Sequence, residues 1–173
     1  MQEMIDVYDH DRRRTGLTIA RDGAFLHEGQ YMLYVLALIE DASGRFLITQ
    51  RSLDKHWAAG WWEVTGGGAR AGETSLDAVR REVPEEVGLD VGELDASPVY
   101  SYENVDLARG DNYFVDIYHL HLDFSEQDVS LVDGEAIAFR LATWDEIGEL
   151  AQSGTFLHYE RLRQALAAEG VAV

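Results

Sequence analysis

Residues 67–89 constrain the fold and the chemistry of this chain more than any other stretch. They read Gly-Gly-Ala-Arg-Ala-Gly-Glu-Thr-Ser-Leu-Asp-Ala-Val-Arg-Arg-Glu-Val-Pro-Glu-Glu-Val-Gly-Leu. The glycines at the start predict a loop, and the run that follows repeats apolar residues at the spacing of an amphipathic helix. These residues are Leu76, Val79, Val83 and Val87. The segment therefore predicts a glycine-rich loop followed by a helix that packs against a core.

Three glutamates of the predicted helix lie on one side of it. At about 100° per residue, Glu86 falls about 40° and Glu85 about 60° from Glu82, in opposite directions. Like charges this close raise one another's pKa unless a cation lies among them. Oxygen ligands on one face suit Mg²⁺ or Mn²⁺. Arg81 lies one turn before Glu85 and is expected to pair with it.

Both ends of this helix carry sequence signals. Thr74 and Asp77 have the spacing of a capping box, and Gly88 is a natural residue to follow the last turn, so the helix is predicted over residues 75–87. The glycines at positions 66–68 let backbone approach a ligand closely, and with the helix N-terminus they would offer amide groups to phosphate.

Pro84 is the one residue that conflicts with this prediction. It lies inside the predicted helix, lacks an N–H, and clashes with the carbonyl of Arg80. The helix could kink at this point, which would shift Glu85 and Glu86 relative to Glu82.

Composition narrows the classes of function. A net charge of −18 argues against binding to a nucleic acid polymer or to an anionic membrane. It does not exclude a small phosphorylated substrate, because a bound cation reverses the local field. The absence of cysteine excludes disulfides and thiolate chemistry. With no apolar run near the ~20 residues of a membrane helix and no signal-peptide pattern, we expect a cytoplasmic protein.

The length of 173 residues predicts one domain over residues 1–173, with residues 1–30 as an N-terminal arm or hairpin. Apolar and alternating runs predict strands over 31–39, 46–51, 61–64, 97–102, 113–124 and 137–144. Two further helices are predicted over 144–152 and 156–168. Strands mixed with helices on both sides indicate the α/β class, as an α/β/α sandwich with a mixed β-sheet.

Residues 67–89 also match the Nudix box, G-x5-E-x7-R-E-U-x-E-E-x-G-U with U aliphatic, at every specified position. The chain therefore resembles a Nudix hydrolase, and we refer to residues 67–89 as the box segment. The likeness extends over residues 6–91, and Tyr8-Asp9, Thr15-Gly16 and Arg21 resemble a bacterial isomerase-like subgroup. A solvated acidic helix is the alternative interpretation, but it leaves Glu73, the glycines and their spacing to coincidence.

The resemblance implies a role for each box residue. Glu82, Glu85 and Glu86 would hold Mg²⁺, or alternatively Mn²⁺, with the Gly67 carbonyl joining them. Arg81 would orient the carboxylates, and Glu73 would support the loop and the helix. The implied reaction is attack of water on a diphosphate that links a nucleoside to another group, X.

The general base and the substrate contacts are less closely specified. Glu82 is the first choice of base, and Glu126 and Glu135 are alternatives from a later acidic stretch. Gly66, Gly67 and Gly68 are expected to contact the substrate. Arg51 ends a strand near them, so it could reach a substrate phosphate, although a structural ion pair is an equal alternative.

Three further alternatives stay open at this point. One is a binding module of the same fold without turnover. Another is an isopentenyl-diphosphate isomerase, which is disfavoured because that enzyme uses a catalytic cysteine. The third concerns the oligomeric state, since the family likeness leaves a homodimer open.

His119 and His121 share one face of a strand, and two such histidines can bind metal. No nearby pattern completes a four-ligand set, so cross-strand packing is the favoured interpretation.

Overall fold

The computed structural model describes residues 2–132 and 134–173. The strands are β1 (Met4–Tyr8), β2 (Arg14–Ala20), β3 (Met32–Glu40), β4 (Phe46–Arg51), β5 (Trp62–Glu63), β6 (Thr65–Gly68), β7 (Tyr100–Asn104), β8 (Tyr113–His121) and β9 (Ala136–Ala142). The helices are α1 (Ser75–Val87), α2 (Trp144–Gln152) and α3 (Tyr159–Ala168), with a short 3₁₀ turn at Glu126–Asp128. Among these residues, no helix combines the length and apolar character that crossing a bilayer requires.

The long apolar strand β3 organises a seven-stranded mixed sheet. It runs parallel to β8 along its whole length and antiparallel to β6, where Val35 lies opposite Gly67. At its end it turns back into β4, with Glu40 opposite Phe46. Strand β4 pairs with β5 and β9, and β7 pairs with β8. This topology brings the glycines of β6 next to the middle of β3.

Alternation along β3 sends side chains to both faces of the sheet, and each face has its own apolar core. Val35 and Ile39 pack in one core with Val79 and Val83 of α1. Leu38 packs in the other, together with residues of α2 and α3 such as Ile147, Leu162 and Leu166. The predicted α/β/α sandwich with a mixed sheet is therefore confirmed, with α1 on one face and the two later helices on the other.

Residues 4–20 form a hairpin. Strands β1 and β2 pair antiparallel, and Tyr8 also bridges to Tyr31 at the start of the main sheet. Ile5 and Val7 are buried in a third apolar cluster with Leu26 and Met32. The hairpin is thereby anchored beside the box segment.

The structure departs from the sequence prediction at the glycines and at the start of α3. The glycines at 66–68 were expected in a loop, but they belong to strand β6, because their backbone pairs with β3. The helix expected from residue 156 begins at Tyr159, because Phe156 bridges to Trp62 and His158 takes a left-handed conformation with φ 62°. Helix α1 has the predicted bounds, and it continues through Pro84 to Val87.

Candidate active site

Local sequence signals determine where α1 begins and ends. The hydroxyl of Thr74 accepts the Asp77 N–H at 3.2 Å, and the Asp77 carboxylate accepts the Thr74 N–H at 2.9 Å, which is the predicted capping box. Gly88 closes the helix with φ 72°. Burial of Val79 and Val83 beneath α1 then turns its acidic side toward β6.

The glycines of β6 allow this acidic side to approach the strand. A Cβ atom on Gly67 would overlap the carboxylate of Glu82, and one on Gly66 would overlap the carbonyl of Val35. The Gly66 N–H donates to Glu86 Oε2 at 3.1 Å. The Gly66 amide is thus engaged by a box glutamate, which corrects the expectation that it would be free to bind phosphate.

Glu82 and Glu86 form a pair of carboxylates with too little positive charge around them. Burial raises the pKa of Glu82, an effect that hydrogen bonding and charge from Arg81 only partly oppose. Burial, followed by the charge of Glu82, raises the pKa of Glu86 to about 8. A divalent cation would neutralise such a pair, and an all-oxygen donor set suits Mg²⁺ or Mn²⁺. The residues present therefore fit the metal that the box implies.

Arg81 is the centre of the hydrogen-bond network in the box segment. Its Nε and Nη2 donate to the two carboxylate oxygens of Glu73 at 2.7 and 2.9 Å. Its Nη1 donates to Glu82 at 2.7 Å and to Glu85 at 3.2 Å, and Nη2 also reaches the Gly68 carbonyl at 2.9 Å. The expected pairing with Glu85 is present, but the bidentate contact with Glu73 is the closer one.

Glu73 is held as a carboxylate. Burial opposes this, but hydrogen bonds from the Arg81 side chain and from the Arg70 N–H, at 2.8 Å, lower the pKa of Glu73 below its ordinary value. Glu73 thus connects the loop at Arg70 to α1 at Arg81.

Glu85 is placed differently from the other two predicted ligands. Its side chain is 49% exposed and accepts from Arg70 at 3.2 Å as well as from Arg81. In residues 2–132 and 134–173, the carboxylate oxygens of Glu82, Glu85 and Glu86 do not all lie within 4.8 Å of one another. Two guanidinium groups thus hold Glu85 at the edge of the predicted stripe, although its charge still contributes to the raised pKa of Glu82.

The N-terminal hairpin supplies contacts that the sequence analysis did not assign. Asp6 accepts the Gly72 N–H at 2.9 Å, and Arg14 pairs with Asp6 at 3.2 Å and donates to the Glu73 carbonyl. Arg21 lies so close to β6 that a Cβ on Gly68 would be 3.2 Å from its Cζ. The hairpin therefore holds the loop of the box segment and adds a cation beside it.

Comparison with known proteins shows the family of this chain. The NUDIX domain family matches residues 30–165, and an uncharacterised Nudix hydrolase of Listeria monocytogenes, lmo0368, is 31% identical over 160 residues, 92% of this chain and 90% of that protein. The chain belongs to the Nudix hydrolase family.

Two other similarities bear on the fold and on the isomerase alternative. The crystal structure of DR0079 from Deinococcus radiodurans superposes with a TM-score of 0.74 at 23% identity, covering 94% of this chain and 99% of that one. That likeness shows the fold alone. An isopentenyl-diphosphate Delta-isomerase of Serratia proteamaculans is 26% identical over 159 residues, 90% of this chain and 83% of that protein. This Nudix hydrolase chain has no cysteine.

Arg51 lies in an ion pair beside the Nudix box. Its Nη1 donates to both carboxylate oxygens of Glu63 at 2.9 Å, and Nη2 donates to the Trp57 carbonyl at 3.2 Å. The ion-pair alternative is thus what the structure shows. Glu63 was missed by sequence reasoning, and the only available signal was its position in the strand before the glycines. Burial raises the pKa of Glu63, although Arg51 opposes this.

The two alternative bases lie in different places. Glu135 contacts Lys55, and its charge contributes to the raised pKa of Glu86, so it faces the Nudix box. Glu126 instead lines a cleft with Asp41 and Arg45 at the β3–β4 turn. Gly67 pairs with the middle of β3, so that turn is about 16 Å further along the strand. This position separates Glu126 from the box glutamates.

Proposed function

We propose that this chain is a metal-dependent pyrophosphohydrolase that cleaves a nucleoside diphosphate linked to a group X by attack of water on the diphosphate. The observation that carries the proposal is the under-neutralised pair of Glu82 and Glu86 against the glycines of β6. Nudix enzymes generally use a divalent metal. Here Mg²⁺, or alternatively Mn²⁺, would be held by Glu82, Glu85 and Glu86 with the Gly67 carbonyl. When bound, it acidifies water and stabilises charge on phosphoryl oxygens.

The protein groups divide the remaining work. Arg81 holds Oε1 of Glu82 at 2.7 Å and thereby fixes the direction of that carboxylate. Glu73 holds Arg81 through two hydrogen bonds, so it positions the base indirectly. Oε2 of Glu82 is left to accept a proton from the attacking water. Glu135 is the alternative base, because it faces the same glutamates.

We assign binding of the diphosphate to cationic side chains around β6. Arg21 lies beside Gly68 and already lowers the pKa of Glu82, although burial raises it overall. Its guanidinium group can meet a phosphate oxygen by a charge-assisted hydrogen bond. Gly67 and Gly68 bring the strand backbone close to the same place. Arg51 is the last residue of β4, and a substrate phosphate that contacts its guanidinium group would compete with the carboxylate of Glu63.

A substrate panel with one matched pair of variants tests this proposal. ADP-ribose, nucleotide sugars, dinucleoside polyphosphates and nucleoside triphosphates are incubated with the wild type, Glu82→Gln and Glu149→Gln in Mg²⁺ or Mn²⁺. Glu149 is an exposed glutamate on α2, across the sheet from the box. We expect the wild type and Glu149→Gln to release product and Glu82→Gln to lose about 10²–10⁴-fold in kcat.

Two results would contradict the proposal. Tight binding of a ligand without turnover of any substrate would indicate a binding module. Isomerisation of isopentenyl diphosphate by the purified protein would show that another acid replaces the missing cysteine.

We also propose that the substrate is small and phosphorylated and that the protein is cytoplasmic. Sedimentation of the purified protein decides between a monomer and a homodimer.

A further inference from the structure

A second cluster of potential metal ligands lies on the other face of the sheet, at the ends of β3 and β8. His119 is buried, with only 2% of its side chain exposed, and its Nε2 lies 2.7 Å from Glu40 Oε2. His121 Nδ1 lies 3.5 Å from the same oxygen of Glu40. Glu40 and His121 are partners in the β3–β8 register. One ligand atom from each of the three residues lies within 4.8 Å of the other two.

The second nitrogen of His119 carries an independent indication of metal. His119 Nδ1 lies 2.6 Å from Oε2 of Glu169, the residue that follows α3. A neutral imidazole can donate from only one nitrogen, and a carboxylate only accepts. With a carboxyl group at each nitrogen, one of the two contacts lacks a hydrogen unless an added proton or a metal cation lies between the partners. Metal-bound histidines typically donate their other N–H to a carboxylate, which is the place of Glu169.

We propose that Glu40, His119 and His121 bind a divalent transition metal of the Zn²⁺ class, with Glu169 orienting His119 from behind. Two imidazole nitrogens and one carboxylate oxygen are ligands that Zn²⁺ accepts readily and that Mg²⁺ does not prefer. Glu40 and His121 also line an open cleft of about 310 Å³, together with Asp41 and Asp123 among others. Water or a small anion can complete the coordination there.

This site is separate from the Nudix box. Val35 packs toward α1, whereas Glu40, five residues later, lies on the face of Leu38 and α3. Gly67 pairs with Val35, so the two sites are about 16 Å apart along β3 and on opposite faces. The proposal is independent of the pyrophosphohydrolase assignment, and each can fail without the other.

The competing explanation is an imidazolium that bridges two carboxylates without any metal. It requires only His119, Glu40 and Glu169, and it gives His121 no function. His121 is 68% exposed, so its replacement should not disturb folding. The His121→Ala variant therefore separates the two explanations.

The test is equilibrium dialysis of tag-free protein against Zn²⁺ in excess Mg²⁺, which competes for binding at all-carboxylate sites such as the box. We expect one Zn²⁺ per chain in the wild type and in Glu82→Gln, loss of uptake in His121→Ala, and a 10–100-fold weaker Kd in Glu169→Gln. His10 is an exposed histidine 3.4 Å from Asp11, so His10→Ala is the matched control and should bind like the wild type. Co²⁺ in place of Zn²⁺ should give visible absorption bands that His121→Ala abolishes.

Two outcomes would overturn the proposal. Absence of Zn²⁺ uptake by the wild type would leave the imidazolium bridge as the explanation of the cluster. Uptake that His121→Ala does not weaken, or that Glu82→Gln abolishes, would place the ion elsewhere.

Discussion

A single guanidinium group links three of the acidic side chains of the box segment. Arg81 contacts Glu73, Glu82 and Glu85, and only 14% of its side chain is exposed. Lysine would keep the charge but lose the planar fork that makes the bidentate contact with Glu73. We expect Arg81→Lys to weaken the apparent affinity for Mg²⁺ or the activity about 10–100-fold.

Activity measured across a Mg²⁺ titration checks this expectation. Arg163 pairs with Glu160 on the exposed side of α3, so Arg163→Lys is a matched control. The control should behave like the wild type. Unchanged activity and Mg²⁺ dependence in Arg81→Lys would show that the charge alone suffices and that the fork has no role.

The raised pKa of Glu86 makes a prediction about stability in the absence of divalent ions. With a pKa of about 8 in the folded protein and an ordinary value of 4.5, Glu86 keeps its proton in the folded state while the unfolded chain loses it. Between these values the folded state binds more protons, so its stability falls as pH rises. In EDTA, the Tm of the wild type should therefore fall more between about pH 5 and pH 8 than that of Glu86→Gln.

Thermal unfolding at several pH values, with Glu149→Gln as the control, measures this difference. Added Mg²⁺ should restore the Tm of the wild type at pH 8, because it binds the folded state. A wild type and a Glu86→Gln variant with parallel pH profiles in EDTA would contradict the assigned pKa.

At the scale of elements, α1 tolerates a proline that its sequence would not favour. Pro84 cannot donate to the carbonyl of Arg80, yet the helix continues to Val87 and the Gly88 N–H bonds the Pro84 carbonyl at 3.1 Å. Pro84→Ala should therefore stabilise the protein by about 1–3 kcal/mol, with no loss of activity. Urea unfolding measures the gain, and the substrate assay measures activity.

Two other results for Pro84→Ala would assign Pro84 a different role. If Pro84→Ala lowers activity while stability rises, the proline sets the positions of Glu85 and Glu86 relative to Glu82. If stability falls, the missing hydrogen bond is not the main effect of this residue.

The elements that were predicted most closely are those with local signals. The bounds of α1 were predicted from the caps at Thr74 and Gly88 and from the spacing of its apolar residues. The bounds of β4 were predicted from the apolar run 46–51. The start of α3 and the strand character of the glycines were missed, because they depend on pairing with Trp62 and with β3, which lie elsewhere in the chain. Pairing between distant parts of the chain leaves no local pattern in the sequence from which it could be predicted.

At the scale of the whole molecule, the same limit applies to the sites. The Nudix box is one continuous segment, so its residues were found together. Glu63 beside Arg51, and Glu40 beside the two histidines of β8, come together only through strand register. The topology of β3 therefore determines both the site that was predicted and the cluster that was not.

Glu82 is buried and Glu86 half-buried against β6, and we propose that these two carboxylates pack there because they hold a divalent ion. The most direct test is a crystal structure with Mn²⁺, located by its anomalous signal, together with calorimetric titration of Mg²⁺. We expect an ion in contact with Glu82 and Glu86, and calorimetric uptake that Glu82→Gln weakens. Carboxylates without an ion, combined with no uptake in calorimetry, would contradict it.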